Sequence, residues 1–336
     1  MLLNQAPDDL VKIHKMSKKH IILSLKFLVS GGLIWFLIDG IDLGVASARI
    51  LDADLQVLAV VLGLAVLQIG ISVVRWRAVL GAINGVLSFA HCFRLCLIGL
   101  FFNQALPSSY GGDAVRVYRA YKEGLSLHCS INGVMLERVA TVLGLILLVV
   151  FAGPFFINRV GPEDAAWIMP AIGAIGVAGV VGLIVLMFLD RLPSKYSHWS
   201  FVHGLALLAA DARRVFLSPV YAFKAIGWSL VGHINITLIV YLLGASIGLE
   251  ITWLDCMVLM PPVMLVMTLP ISIAGWGVRE QAMVTAFALI SVPGEGALAL
   301  SIMFGLMGLV IGLPGGIVWL ISSDKKILDI DEISDH

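Results

Sequence analysis

Apolar residues in this chain fall in runs of about twenty, and the polar residues between them cluster tightly. Such a run spans the roughly 30 Å hydrocarbon layer of a bilayer when wound as a helix rising 1.5 Å per residue. Spans of this kind are predicted at His20–Ile38, Leu55–Val74, Leu127–Ile157, Ala165–Leu189, Ala225–Ile247 and Ala297–Ser322. Shorter or interrupted apolar segments cover Leu87–Leu106, Asp255–Pro270 and Gln281–Val292. The first of these reads as a re-entrant or half-spanning helix, because Asn103 to Arg116, NQALPSSYGGDAVR, packs proline, two serines, a glycine pair, an acid and a base into its far end. Proline removes a backbone donor and glycine admits angles other residues avoid, so a helix arriving there stops.

The chain writes this break twice. Leu106 to Arg116, LPSSYGGDAVR, and Leu269 to Arg279, LPISIAGWGVR, agree at six of eleven positions, 163 residues apart, including Pro107 with Pro270, Ser109 with Ser272, Gly112 with Gly275 and Arg116 with Arg279. Proline, serine and arginine are not what apolar composition repeats by chance. Paired interruptions in corresponding halves point to a transporter's binding site, and an inverted second copy would enter from the opposite face. The plain alternative is two helix-ending loops sharing turn residues. Residues 255–292 read either as one such hairpin or as two short spans.

Composition fixes the class. With 60% hydrophobic and 13% charged residues and a mean hydropathy of +1.00, the chain is far from the charged quarter of an ordinary soluble protein. The expected fold is an all-α polytopic membrane protein of about eight membrane segments plus broken helices in two pseudo-repeated, inverted halves. Residues 1–19 form a tail, 20–189 the first half, 190–224 an amphipathic link, 225–322 the second half and 323–336 a second tail. No small-x-small cleavage site closes the first apolar run, so it reads as a retained signal anchor. Basic residues gather in the N-terminal tail, at Arg75–Arg94, at Arg116–Lys122 and in the link, which puts those loops and both termini on the cytoplasmic side of the cell membrane. Zero net charge gives no sign of a nucleic-acid partner. Cys92, Cys96, Cys129 and Cys256 show no metal-type spacing and read as buried small residues, so no metal or cofactor is expected.

Polar residues within spans carry the chemistry. Glu137 and Arg138 lie ten residues into one, where an ionised group costs several kcal/mol unless paired or wet. Ser130, Glu137, Thr141 and Gly144 share a helical face, which either walls a cavity or locks two helices by an ion pair. Ser229, His233, Thr237 and Tyr241 form a second polar ridge. His233 is a candidate proton carrier, the commoner alternative being a hydrogen bond to a neighbouring helix. Ala114–Gly124 reads as an amphipathic stretch lying in the headgroup layer. Near the breaks, Asp113/Arg116 and Arg279/Glu280 sit where unpaired helix ends and guanidiniums attract a phosphate, or else serve as snorkelling anchors. Walker A, GxSxG and HExxH sequences are all absent.

NQALPSSYGGDAVRVYRA, then ERVATVLGLILL, then LPISIAGWGVREQA together resemble the lysylphosphatidylglycerol synthase transmembrane family, also called flippase-like membrane proteins, over nearly the whole chain. The resemblance places the family pattern on Asn103, Pro107, Gly112, Asp113 and Arg116, on Glu137 and Arg138, and on Pro270, Gly275, Gly277 and Glu280. Two positions depart from it: Thr141 stands where an acid is common, which weakens a proton-coupled role, and Asp113 stands where Glu is frequent. The implied function is translocation of a polar or phosphate-bearing lipid headgroup between leaflets. Asn103, Asp113, Arg116, Glu137, Arg138, Arg279 and Glu280 would line the passage. The implied partner is a membrane lipid, whether an aminoacyl-phospholipid, glycolipid, hopanoid or polyprenyl-phosphate lipid, with a separate synthase making it. The resemblance is to the translocating half and not to the synthase. The alternative is an intramembrane enzyme or accessory subunit of polyprenyl-linked glycan, glycolipid or hopanoid synthesis, with Asp113 and Glu137 as its carboxylates.

Overall fold

The computed structural model describes residues 43–106, 111–156, 162–191, 200–268 and 275–322. The described residues form eleven α-helices and one short 3-10 turn, with no strand among them. In chain order the helices are α1 (Leu43–Leu51), α2 (Leu55–Ala82), α3 (Phe89–Ala105), α4 (Gly111–Lys122), α5 (Leu127–Phe156), α6 (Pro162–Met187), α7 (Ser200–Phe216), α8 (Pro219–Ser246), α9 (Trp253–Met267), α10 (Val278–Ala288) and α11 (Gly294–Ile321). Five of them, α2, α5, α6, α8 and α11, are long and apolar enough to cross a membrane. The chain is an all-helical polytopic membrane protein.

Short polar signals set the helix ends. Asp54 Oδ1 accepts the amides of Gln56 and Val57 at 2.7 and 3.3 Å to start α2, and Thr252 and Asp255 cap each other's backbone to start α9. At the other ends of α2 and α4, Gly85 and Leu125 donate back to Leu80 and Ala120, closing carbonyls the helix leaves open. The predicted spans are recovered with shifted edges. The second runs on to Ala82, eight residues past Val74, because RWRAVLGA continues the helix with Arg75 and Trp76 turned inward. The segments at 87–106, 255–270 and 281–292 emerge as helices of 17, 15 and 11 residues, shorter than the five long ones. The first predicted span lies outside the described residues.

Residues 43–51, between the first two apolar runs, form a helix, α1, which packs on α11. Two expectations need correction. The 190–224 link is not one surface helix: α7 ends at Phe216 and α8 begins at Pro219, since proline suits a first helical turn. Leu208, Ala209, Asp211, Ala212 and Val215 of α7 are buried against the bundle, with Asp211 bonded to Asn132 and Arg214 at 2.9 and 3.1 Å and lying 2.8 Å from His128 Nε2. At the surface, Arg213 holds Asp190 through two bonds of 2.9 and 2.6 Å, and those bonds keep that carboxyl below its ordinary range. The polar face of 114–124 turns into the protein and not outward. Asp113, Arg116 and Arg119 of α4 are buried, with Asp113 and Arg116 paired to Arg138 and Glu137 of α5 and Arg116 also set over Trp76 of α2.

Packing is heaviest between α2 and α8 and between α3 and α11, with α5 set against α8 and α9. Each pair joins an early helix to a late one. Two short hairpins complete the bundle. In the first, Arg94 near the start of α3 pairs with Glu123 just past α4, and Gly112 donates to Asn103 at 2.9 Å near the break. In the second, α9 packs against α10. The polar ridges of α5 and α8 face each other: His233 Nε2 meets the Thr141 carbonyl at 2.9 Å, and a Cβ on Gly144 would come 2.6 Å from Cβ of Ser229. The α3/α11 crossing is tighter still, since a Cβ on Gly315 would stand 1.9 Å from the Leu97 carbonyl oxygen. Gly315→Val is therefore expected to cost about 1–3 kcal/mol by overpacking. Scanning fluorimetry in detergent would show a lowered unfolding temperature, whereas Gly173→Val, where an added Cβ meets open space, would leave it unchanged or raised.

Candidate functional site

Buried charges assemble where α2, α4 and α5 meet. Glu137, eleventh of thirty residues in α5, lies about 15 Å along that helix and is 1% exposed. Arg75 of α2 binds its Oε1 through Nη2 and, at 2.8 Å, through Nε. Arg116 of α4 reaches Oε2 at 3.4 Å and Asp113 at 3.3 Å, while its guanidinium lies 4.4 Å from the ring centre of Trp76. Arg138 grips Asp113 with two bonds of 2.7 and 2.8 Å. Each carboxylate thus touches two guanidiniums, an arrangement that offsets a desolvation cost neither charge could meet alone.

Small residues make the geometry possible. A Cβ on Gly112 would fall 1.9 Å from the Gly99 carbonyl, and one on Gly99 would fall 2.8 Å from Cδ of Arg116. The two glycines let α3 and α4 approach closely enough to press Arg116 against Trp76 and Glu137. Asn103 Oδ1 accepts the Gly112 amide at 2.9 Å, so it caps α4 as a side-chain acceptor.

These residues border a cavity of about 270 Å³ between α2, α3, α4, α5, α8 and α11. Gln68, Ser72 and Arg75 come from α2, Asn103 from α3, Arg116 from α4, and Glu137 with Arg138 from α5. Ile236 and Ile239 of α8 and Phe304, Met307 and Gly308 of α11 close the opposite, apolar side. Among the described residues, three guanidiniums stand against two carboxylates, counting Asp113 behind the wall. Nε of Arg116 is buried and has no partner among the described residues. Such a site suits a small anion carrying apolar substituents.

The predicted residues divide into three groups. Asn103, Arg116, Glu137 and Arg138 line the cavity, with Gly112 and Asp113 directly behind. Gly275, Gly277, Arg279 and Glu280 lie elsewhere. Arg279 is buried over the Trp276 ring at 4.6 Å and bonds Glu280 and Ser301 at 3.1 and 3.2 Å, while Glu280 accepts the Gly277 amide at 2.6 Å. Gly275 and Gly277 have φ of +83° and +84°, angles that favour glycine and turn the chain into α10. None of the four lines the cavity; the pair fastens α10 to α11. Pro107, Ser109, Pro270 and Ser272 lie outside the described residues. His233 is buried on the Thr141 carbonyl and does not line the cavity either.

Sequence reasoning missed Arg75, Trp76, Gln68 and Gly99. Arg75 stands where the apolar pattern suggests the basic end of a span, though the apolar residues that follow, AVLGAI, signal that the helix continues past it. Gln68 also holds the neighbouring helix, accepting from Asn235 at 2.9 Å.

A family model for the lysylphosphatidylglycerol synthase TM region matches residues 23–316, spanning every helix that borders this cavity. The chain belongs to that family. No curated protein sequence matches it in direct comparison. Within this family member, Glu137 is the point at which the electrostatics close. Glu137→Gln strands two buried guanidiniums, so it should destabilise the fold by about 3–5 kcal/mol, read as a lower unfolding temperature and a poorer monodisperse yield. Asn103→Ala, which removes only a cap, should cost about 1 kcal/mol by the same assay.

Proposed function

We propose that this family member is a lipid translocase, and that its arginine-walled cavity holds an anionic, phosphate-bearing headgroup in transit between leaflets. The carrying observation is that Arg75, Arg116 and Arg138 line one cavity, three guanidiniums against two carboxylates among the described residues. A phosphate oxygen accepts from a guanidinium in forked geometry, and the apolar far wall tolerates the glycerol or prenyl portion. Moving a headgroup unaided drags polar groups through hydrocarbon; replacing its water contacts with fixed donors lowers that barrier.

The inverted repeat belongs to the same reading. Matching α2 with α8, the α3–α4 hairpin with α9–α10, and α5 with α11 pairs the α3/α11 contact with the α9/α5 contact, as a two-fold relation requires. Arg77, Arg94, Lys122, Arg213 and Arg214 lie near the α2–α3, α4–α5 and α7–α8 turns, among Glu123, Asp190 and Asp211, while Asp54, Glu250, Asp255 and Glu295 lie near the α1–α2, α8–α9 and α10–α11 turns with Arg49. The first group of turns faces the cytoplasm on this reading, and the two hairpins dip in from opposite faces. The cavity then lies beside the inner tip of the first hairpin, where broken helices place ion sites in transporters.

Reconstitution tests the proposal. In vesicles carrying fluorescent phosphatidylglycerol, the protein should speed exchange between leaflets over protein-free vesicles, with anionic lipid preferred to phosphatidylcholine. Arg116→Gln should slow that exchange at least about tenfold, equivalent to about 1.4 kcal/mol, and Arg116→Lys should restore part of it. A folded protein giving no exchange, or a covalently altered lipid recovered by mass spectrometry, would refute the translocase reading.

A further inference from the structure

Beyond the cavity, two apolar grooves run along α5 and α6. The first, of about 550 Å³, begins at Arg138 and passes Val142 and Ile146 of α5, Gly179 and Gly182 of α6, and Leu265 of α9. The second, of about 180 Å³, shares Ile175 with the first and continues past Gly153, Trp167, Pro262 and Leu289. Arg138 lines both the charged cavity and the first groove, so the three spaces share walls in series. From Leu186 to Trp167 the wall of α6 covers about 28 Å at 1.5 Å per residue, close to the thickness of the hydrocarbon layer.

We propose that this groove holds the hydrocarbon tails of the lipid whose headgroup occupies the arginine-walled cavity, guiding them along α5 and α6 while the headgroup crosses. The proposal rests on the lipid reading of that cavity. A lipid is the one occupant whose two ends match both spaces. Its anionic head meets the cavity's three guanidiniums, and its tails meet walls that are apolar apart from the shared Arg138. A partner's helix would fill the groove and leave those guanidiniums unanswered. The helix forming the outer wall is also the least embedded of the five long ones, with 6% of its apolar window buried, so the groove opens on the bilayer itself.

Two glycines set the groove's shape. A Cβ on Gly179 would come 2.8 Å from Ile146, so α5 and α6 touch there. One turn away a Cβ on Gly182 would meet nothing within 4 Å, which leaves a gap that a larger side chain can fill with little strain. Gly182→Leu therefore plugs the groove without touching the charged cluster, and Ala178→Leu is an independent plug on the same wall. Gly173→Leu is the control, because its Cβ also meets open space and it is not part of either groove wall.

The test uses the full chain in phosphatidylcholine vesicles containing phosphatidylglycerol with a photoreactive diazirine on one acyl chain. After irradiation and peptide mapping, adducts should concentrate on residues 139–146 and 258–265 and, within α6, on Ile175, Ala178, Leu183 and Leu186. They should fall at least about fivefold with either plug, or when excess unlabelled phosphatidylglycerol is added, and stay unchanged in Gly173→Leu. Adducts spread evenly over α6, including outward Val180 and Val181, and indifferent to added phosphatidylglycerol, would overturn the proposal. So would Gly182→Cys forming disulfide-linked dimers with no lipid adduct, since a second copy would then fill the groove. Leaflet exchange separates the two readings. Wild-type exchange that both plugs leave untouched sinks the groove and spares the translocase, whereas saturable groove adducts in a protein that moves no lipid support the groove and sink translocation.

Discussion

Glu137 stands between Arg75 and Arg116, and the rest of the bundle is arranged to keep it there. A lone carboxylate at that depth would be strongly disfavoured, and so would either guanidinium. Held together, with Asp113 and Arg138 completing the set, they form a network in which each charged group has an opposite one. The network draws α2, α4 and α5 to one point. It also explains the glycines on either side, since Gly99 and Gly112 supply the close approach without which Arg116 could not reach.

The network is nearly balanced, and the cavity beside it gives it chemical use. A fully neutral cluster would be mere glue, like the Arg279, Glu280 and Ser301 set that fastens α10 to α11. The α5 cluster instead faces an open space and, among the described residues, sets three guanidiniums against two carboxylates. Two arginines at matching positions, 116 and 279, both lie over tryptophans, yet only the first borders the cavity. On the translocase reading, the first hairpin holds the headgroup and the second braces the frame.

Much of this was legible in the chain. Apolar run lengths marked the long helices, and Glu137 and Arg138 announced themselves by lying where charge is costly. Asn103, Gly112, Asp113 and Arg116 were visible as one break motif. What the linear pattern hid was partnership across the bundle. Arg75 has the appearance of an interfacial anchor until α2 is seen to continue past it, and Gln68 and Gly99 carry no local signal at all. The amphipathic look of 111–122 pointed to the membrane surface, because its polar face shows no sign in sequence of the charges that meet it. Repetition of LP, Gly and Arg suggested that both motifs line one passage, but an arginine followed directly by a glutamate can satisfy itself, as Arg279 does.

The central claim is that the space beside Glu137 receives an anionic headgroup, and an electron cryomicroscopy map in nanodiscs containing phosphatidylglycerol tests it most directly. The account predicts phosphate density within hydrogen-bonding distance of Arg116, with Glu137 still held by Arg75. A well-resolved map with that space empty, and anionic headgroups found only at the protein's rim, would contradict it.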